Sequence, residues 1–332
     1  MDLCSEFANI NPSLLLVKTH RHATWAGTYR SYPQVYLQPR SIEELRDVVL
    51  TATRLRTRIS LVGCGHSPSD LTCTSQVLVN IDHLDKVLHV DEDTGIVRME
   101  AGIRLHDLCA KLKAHGLALA NLGSIDHQSI AGAFGTCTHG SSLKHGILSQ
   151  SCLSMKIMTA EGDIRSCSAN ENADLFRAAL VSLGALGVII EVTFQTAPDF
   201  KIEWEQTLLP LNEIVENWEG GLWTEREFTR CWWMPYTKKV IRWRAKKTDK
   251  DIDRPDPGLF SGSVGFHVYQ LALYAARWIP SLLKTIEKFV HIVHYGASEG
   301  NGGGTTGVEE GHKGVSLLYL HVQFNTHSKG FF

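Results

Sequence analysis

The chain contains no C-x-x-C pair, although it has eight cysteines in 332 residues (4, 64, 73, 109, 137, 152, 167 and 231). Thiols scattered in this way speak against a zinc site and against a disulfide framework, and no metal is expected; reduced thiols inside a cell are the reading. Neither sign of charge is in excess. The formal net charge is −2 with 20% charged residues, which gives no reason to expect nucleic acid as a partner. No apolar run reaches the roughly 18 uninterrupted residues of a membrane span. The nearest, 264–283, is broken by His267, Gln270, Arg277 and Pro280. It reads either as an amphipathic helix packed on the protein or as an interfacial membrane helix. The N-terminal residues lack the long apolar core and small-residue cleavage site of a secretory signal.

What is present is a core: 43% of the residues are hydrophobic, and the length suits about two domains. Val35-Tyr36-Leu37 reads as a short strand, and Ser41 with Glu44 forms a capping-box pair ahead of Leu45, Val48 and Val49. Residues 59–62, 77–81 and 96–100 read as strands. The helix RLHDLCAKLKAHG comes next, with Gly116 placed to cap it. A hairpin turns at Glu161-Gly162-Asp163, a helix runs over 173–183, and the β-branched run 188–194 predicts a central strand. Strands interleaved with helices make the fold α+β or α/β. Near residue 199 the texture changes: six tryptophans stand between 204 and 243, and a basic stretch interrupted by proline (245–258) reads as an exposed loop. A domain boundary is placed there.

Three glycine-rich stretches ask for a common explanation: VGCGHS (62–67), GSIDHQSIAGAFGTCTHGSS (123–142) and LGALGVI (183–189). Their small residues let a ligand approach backbone N–H groups closely, as anion-binding nests do. The spacing is not that of a Rossmann fingerprint, because no third glycine stands beyond Gly63 and Gly65 where it is required. It is not a Walker loop either, lacking the Lys-Ser/Thr pair. The second stretch is mostly uncharged until Lys144, which suits the enclosure of a large neutral ring bearing a diphosphate. A turn needs Gly63 and Gly65 but has no need of His66.

Taken together, TWAGT (24–28), PRSIEEL (39–45), VGCGHSPSD (62–70), the 123–142 stretch and EREFTRCWWMPYTKKV (225–240) resemble the sugar-1,4-lactone oxidases. These are FAD enzymes of the vanillyl-alcohol-oxidase class, and the similarity runs from about Thr24 to about Lys313. The resemblance implies an α+β chain: an N-terminal segment (1–23), a PCMH-type FAD-binding domain (24–199), an incomplete α+β substrate, or cap, domain (200–313) and an aberrant tail (314–332). It also implies that His66 is tethered covalently to the 8α-methyl of the flavin. Gly63, Cys64, Gly65 and Ser67 would then receive the diphosphate. Gly123, Ser124, Ser129, Gly132, Thr138, His139 and Gly140 would line the diphosphate and the isoalloxazine edge, with Gly187 and Val188 forming the third contact.

The implied reaction removes a hydride from an aldono-1,4-lactone of the D-arabinono type and passes it through FAD to O₂. The products are peroxide and an ascorbate-like enediol. Three alternatives stand beside it: a dehydrogenase using another acceptor, a catalytically impaired flavin-binding fragment, and a module binding some other nucleotide. Catalytic residues are not assigned. In the family they include a late H-W-x-K motif, which HVQFNTHSKGFF does not match, so this chain is expected to turn over poorly or not at all. The resemblance further implies a mitochondrial membrane location, for which 264–283 offers an apolar contact surface.

Overall fold

The computed structural model describes residues 3–10, 15–17, 20–253, 263–295 and 305–311. The expected tail 314–332, and residues 254–258 of the expected loop, lie outside them. In chain order the principal elements begin with β1 (Leu15–Val17), β2 (Val35–Gln38), α1 (Ile42–Arg54), β3 (Ile59–Val62), β4 (Val77–Asn80) and β5 (Val87–Asp91). They continue with β6 (Ile96–Glu100), α2 (Leu105–Lys113), α3 (Ile130–Gly135), β7 (Cys152–Met158), β8 (Ile164–Ser168), α4 (Ala173–Ala179) and β9 (Val188–Gln195). After Asp199 come β10 (Lys201–Pro210), β11 (Phe228–Met234), β12 (Lys239–Thr248), α5 (Ser263–Trp278), α6 (Leu282–Tyr295) and β13 (Thr305–Glu310).

The chain divides into two compact units. The first is Met1–Gly140 with Gly146–Asp199; the second is Ser141–His145 with the chain from Phe200 onward. The pentapeptide 141–145, which the sequence alone assigns to the first domain, groups with the second for a visible reason. Thr229 N donates to Ser141 O at 3.0 Å, and the His145 ring meets Glu227 Oε1 at 2.9 Å.

The first unit is built on two larger sheets, beside two short two-stranded ones. One has the order β1-β2-β4-β3, in which β2 and β3 both lie parallel to β4, so α1 is a crossover helix between parallel strands. Ser41 Oγ accepts from Glu44 N at 3.1 Å, and Glu44 Oε2 accepts from Arg40 N at 2.8 Å; the N-terminus of α1 is therefore closed by side chains from both directions. Leu45, Val48, Val49 and Ala52 of α1 bury against Val35, Leu37, Val77 and Val79. The other sheet is antiparallel with the order β8-β7-β9-β6-β5, which puts β9 in the centre as its β-branched run predicts. Its core gathers Val97, Met99, Leu108, Phe134, Met155, Val192 and Phe194. At Gly116, φ is +67°, the left-handed conformation expected at the end of α2.

The join between β6 and α2 is unusually tight. Gly102 N donates to Leu84 O at 2.9 Å, and a Cβ at Gly102 would stand 1.9 Å from Ile81 O. Only glycine lets the chain pass this close. The close pass brings residues 80–84 beside Arg104.

In the second unit β11, β12, β10 and β13 form an antiparallel sheet. Trp204 and Trp243 are buried on one face with Ile202, Phe228 and Ala245, while Trp218 and Trp233 are exposed. Among the described residues no helix is long and apolar enough to cross a membrane.

Candidate functional site

Strand β3 runs out at Val62 into the loop carrying Gly63, Cys64, Gly65, His66 and Ser67. Ser129 stands opposite, its Oγ accepting from Gly132 N at 3.3 Å at the start of α3. A Cβ at Gly63 would lie 2.9 Å from that same Oγ, so the two loops pass within one atom's width. The third stretch closes the far side. Leu183 N donates to Gly135 O at 3.0 Å. Gly187, at φ +124°, passes Met158 O so closely that a Cβ would sit 2.3 Å away. All three stretches border one cavity of about 330 Å³ in the first unit.

The expected site residues divide in two. Gly63, Cys64, Gly65, His66, Ser67, Ser129, Gly132 and Gly187 line this cavity. Gly123, Ser124, Thr138, His139, Gly140 and Val188 do not. Val188 is buried in the core of the first sheet at the start of β9. Gly123, Thr138 and Gly140 pack beside one another and Asn121: a Cβ at Gly123 would meet Thr138 Cγ2 at 3.0 Å, and one at Gly140 would meet Asn121 Oδ1 at 1.8 Å. They support the loop from behind, with Thr138 and Gln128 joined by a side-chain hydrogen bond of 3.2 Å. His139 is exposed and its Nδ1 lies 2.8 Å from Gly140 O.

His66 is the chemically pointed member. Its Nδ1 is buried and has no hydrogen-bond partner among the described residues. Its ring stacks with those of Trp25 and His127, with centroids 5.2 and 6.4 Å away. Burial first, then His127 and Arg104, push its pKa below the ordinary histidine value, against an opposing pull from Asp126. The imidazole is therefore neutral at pH 7 and its nitrogen lone pair is available. A buried nitrogen left unsatisfied costs free energy, which marks this one as a position kept for a use.

Sequence reasoning missed a second layer. Gln128, Ala131, Gly135, Thr136, Ser182 and Gly184 also line the cavity, and the signal for them is the run of small residues in and beside the 123–142 and 183–189 stretches. Arg104 and Asp82, whose side chains form an ion pair, carried no such signal. His106, Asp126 and His127 also bring ligating atoms within 4.8 Å of one another, on a largely exposed corner.

The arrangement suits a dinucleotide bearing a flavin: close-packed glycines, uncharged polar lining, and one unpartnered neutral imidazole. The FAD-binding domain family matches residues 33–168, and the D-arabinono-1,4-lactone oxidase family matches residues 192–327. A putative D-arabinono-1,4-lactone oxidase of Neurospora crassa is 45% identical over 312 residues, covering 92% of this chain and 56% of that protein. The D-arabinono-1,4-lactone oxidase of Yarrowia lipolytica is 43% identical, covering 92% and 59%. An L-gulonolactone oxidase of Scyliorhinus torazame is 35% identical, covering 84% and 63%. This chain thus spans little more than half the length of the first of these relatives. Among solved structures, cholesterol oxidase from Brevibacterium sterolicum has a TM-score of 0.73 at 17% identity, covering 85% of this chain and 59% of that one, a likeness of fold alone. With an α+β FAD-binding domain of the PCMH type continuing into sequence that matches the D-arabinono-1,4-lactone oxidase family, the chain is similar along most of its length to the sugar-1,4-lactone oxidases.

Proposed function

We propose that this chain is the FAD-binding part, with a portion of the substrate domain, of an oxidoreductase that oxidises an aldono-1,4-lactone of the D-arabinono type. Bound FAD would accept a hydride from the lactone and pass the electrons to O₂. The observation that carries the reading is the convergence of three separated glycine-rich stretches on one cavity edged by His66.

Each residue has a stated task. The backbone N–H groups of Gly63, Cys64, Gly65 and Ser67 receive the diphosphate. Ser129 and Gly132 hold the opposite wall, and Gly187 permits the close approach of the third. His66 is the covalent anchor of the flavin, supported by its neutral state and its unpartnered, buried Nδ1. It is an anchor and not an acid or base of the reaction.

The purified 332-residue chain is expected to be yellow, and its denatured band to fluoresce on an acid-treated gel. His66→Ala is expected to lose the fluorescent band while retaining dissociable FAD. Flavin that washes out of the wild-type chain under denaturant overturns the tether. An FAD-free protein overturns the whole reading. Peroxide formed per lactone consumed separates O₂ from another acceptor as the electron sink.

We also propose attachment to a membrane, in mitochondria as the family resemblance implies. Leu271, Trp278 and Ile279 on and just after α5, and Phe289 and Ile292 on α6, are exposed apolar side chains. Co-sedimentation with vesicles tests this, and protein left wholly in the supernatant speaks against it.

A further inference from the structure

The Arg104–Asp82 pair stands outside the motifs that carry the family resemblance, yet it is linked to the His127 loop directly and to the loop carrying His66 through Asn80. Arg104 Nη1 donates to the carbonyl of His127 at 2.8 Å, and Nη2 binds Asp82 Oδ2. The same carboxylate oxygen accepts from Asn80 Nδ2 at 3.0 Å, and Nδ2 also lies 3.5 Å from Gly63 O. A Cβ at Gly63 would stand 3.4 Å from Arg104 Nη1. The backbone repeats the connection, since Leu105 N donates to Gln128 O and Ile130 N to Ile103 O.

Such a pair is a poor device for stability alone. The two side chains are only 18% and 29% exposed, and Asp82 Oδ1 is buried without a partner among the described residues. Removing charge from water costs about as much as the pairing returns. What the pair does supply is position: a planar guanidinium with fixed geometry holds the His127 carbonyl on one side and, through Asp82 and Asn80, reaches the Gly63 carbonyl on the other.

We propose that Arg104, oriented by Asp82, is the positioning residue that sets the distance between the Gly63–Ser67 loop and the His127–Ser129 loop and so presents His66 to the flavin. This inference rests on the proposed covalent tether of His66. Attachment exchanges one imidazole N–H and one C–H of the 8α-methyl for an N–C bond. The two electrons reduce the flavin and then pass to dioxygen, which leaves with both protons as peroxide. The rate of this exchange depends on where the imidazole sits and on its being neutral. The groups that set its charge state are Arg104 and His127, which oppose protonation, and Asp126, which favours it.

The test uses the 332-residue chain prepared without flavin, then given FAD in air. It tracks gel fluorescence over time across pH, with dissociable FAD binding and thermal melting measured in parallel. Arg104→Gln is expected to bind FAD but to attach it at least about tenfold more slowly, since small misplacements of reacting groups are costly. Its pH midpoint for attachment is expected to move upward, because one cation no longer opposes protonation of His66. Arg104→Lys, which keeps the charge, is expected to restore the wild-type midpoint. Attachment by Arg104→Gln within about twofold of wild type, well inside the loss that misplacement brings, overturns the inference. If Arg104→Gln does not fold, the near-isosteric Asp82→Asn decides: slowed attachment at an unchanged melting temperature supports the inference, and a wild-type rate overturns it. A wild-type chain that never acquires covalent flavin overturns the tether and this inference with it. A tethered wild type matched by Arg104→Gln overturns this inference alone.

Discussion

The indole of Trp25 stacks on the imidazole of His66, with ring centroids 5.2 Å apart and planes inclined by 28°. The backbone reinforces the contact: Trp25 N donates to Gly65 O at 2.7 Å. A residue far upstream in the chain thus forms one wall of the histidine's slot. Trp25→Ala is expected to cost on the order of 1 kcal/mol in stability, the worth of an aromatic pair on a half-exposed side chain. The same change should slow flavin attachment, read by gel fluorescence, while Trp25→Phe keeps both near wild type. Attachment unchanged in Trp25→Ala would show that the stack has no orienting role.

Protonation gives a second expectation. Burial lowers the pKa of His20, His22 and His66, and their ordinary value is 6.5. The unfolded chain therefore binds more protons than the folded one just below that value. Stability then rises with pH in that window. The contribution is present above about pH 6.5 and is lost as pH falls below it. Melting temperature of the flavin-free chain is expected to drop between pH 7 and 5, and His22→Gln and His66→Gln should each flatten the drop.

The glycines of the site differ in what they tolerate. At Gly187 both φ, +124°, and a backbone oxygen 2.3 Å from the absent Cβ forbid a side chain. Gly184 has φ +75° and open space around it. Gly187→Ala is expected to cost about 4 kcal/mol or more, the range of severe backbone conflicts. Gly184→Ala should cost only about 1 kcal/mol, the strain of a left-handed residue alone. Chemical denaturation compares the two; equal costs would mean that the Met158 contact relaxes.

Thiol reactivity is a fourth test. None of the eight cysteines forms a disulfide, Cys137 is exposed, and burial pushes Cys109 and Cys152 up to about 12. Native protein treated with a thiol reagent at pH 8 is expected to lose Cys137 first, and Cys137→Ser should remove the fast phase. Cys109 and Cys152 should react only after denaturation. Early labelling of either would contradict the packing of the first unit's core.

The core of the second unit offers a fifth. Trp243 is fully buried, with the Arg230 guanidinium 5.6 Å from its ring centroid. Trp243→Ala is expected to cost about 3–5 kcal/mol, the usual result of emptying an aromatic core position. A melting temperature within error of wild type would mean that the sheet closes over the gap.

The amino-acid order by itself determined whatever depends on near neighbours. The Ser41–Glu44 cap, the left-handed Gly116, the central character of Val188–Phe194 and the exit of His66 from a strand into a glycine turn are all set within a few residues of chain. Tertiary structure decided which of the glycine-rich segments meet. Residues 62–67, 128–136 and 182–189 share a cavity because β4 inserts beside β3 and Leu183 hydrogen-bonds to Gly135. Thr138 and Gly140, in the same stretch as Ser129, fall behind the wall instead, where Asn121 and Gln128 hold them. The Asp82–Arg104 pair depends on Gly102 passing under Ile81 O, a contact between distant positions that no local pattern announces. Periodicity and capping are written in adjacent side chains. The spacing between loops is set by strand order and by close backbone passes, which exist only once the sheets have formed.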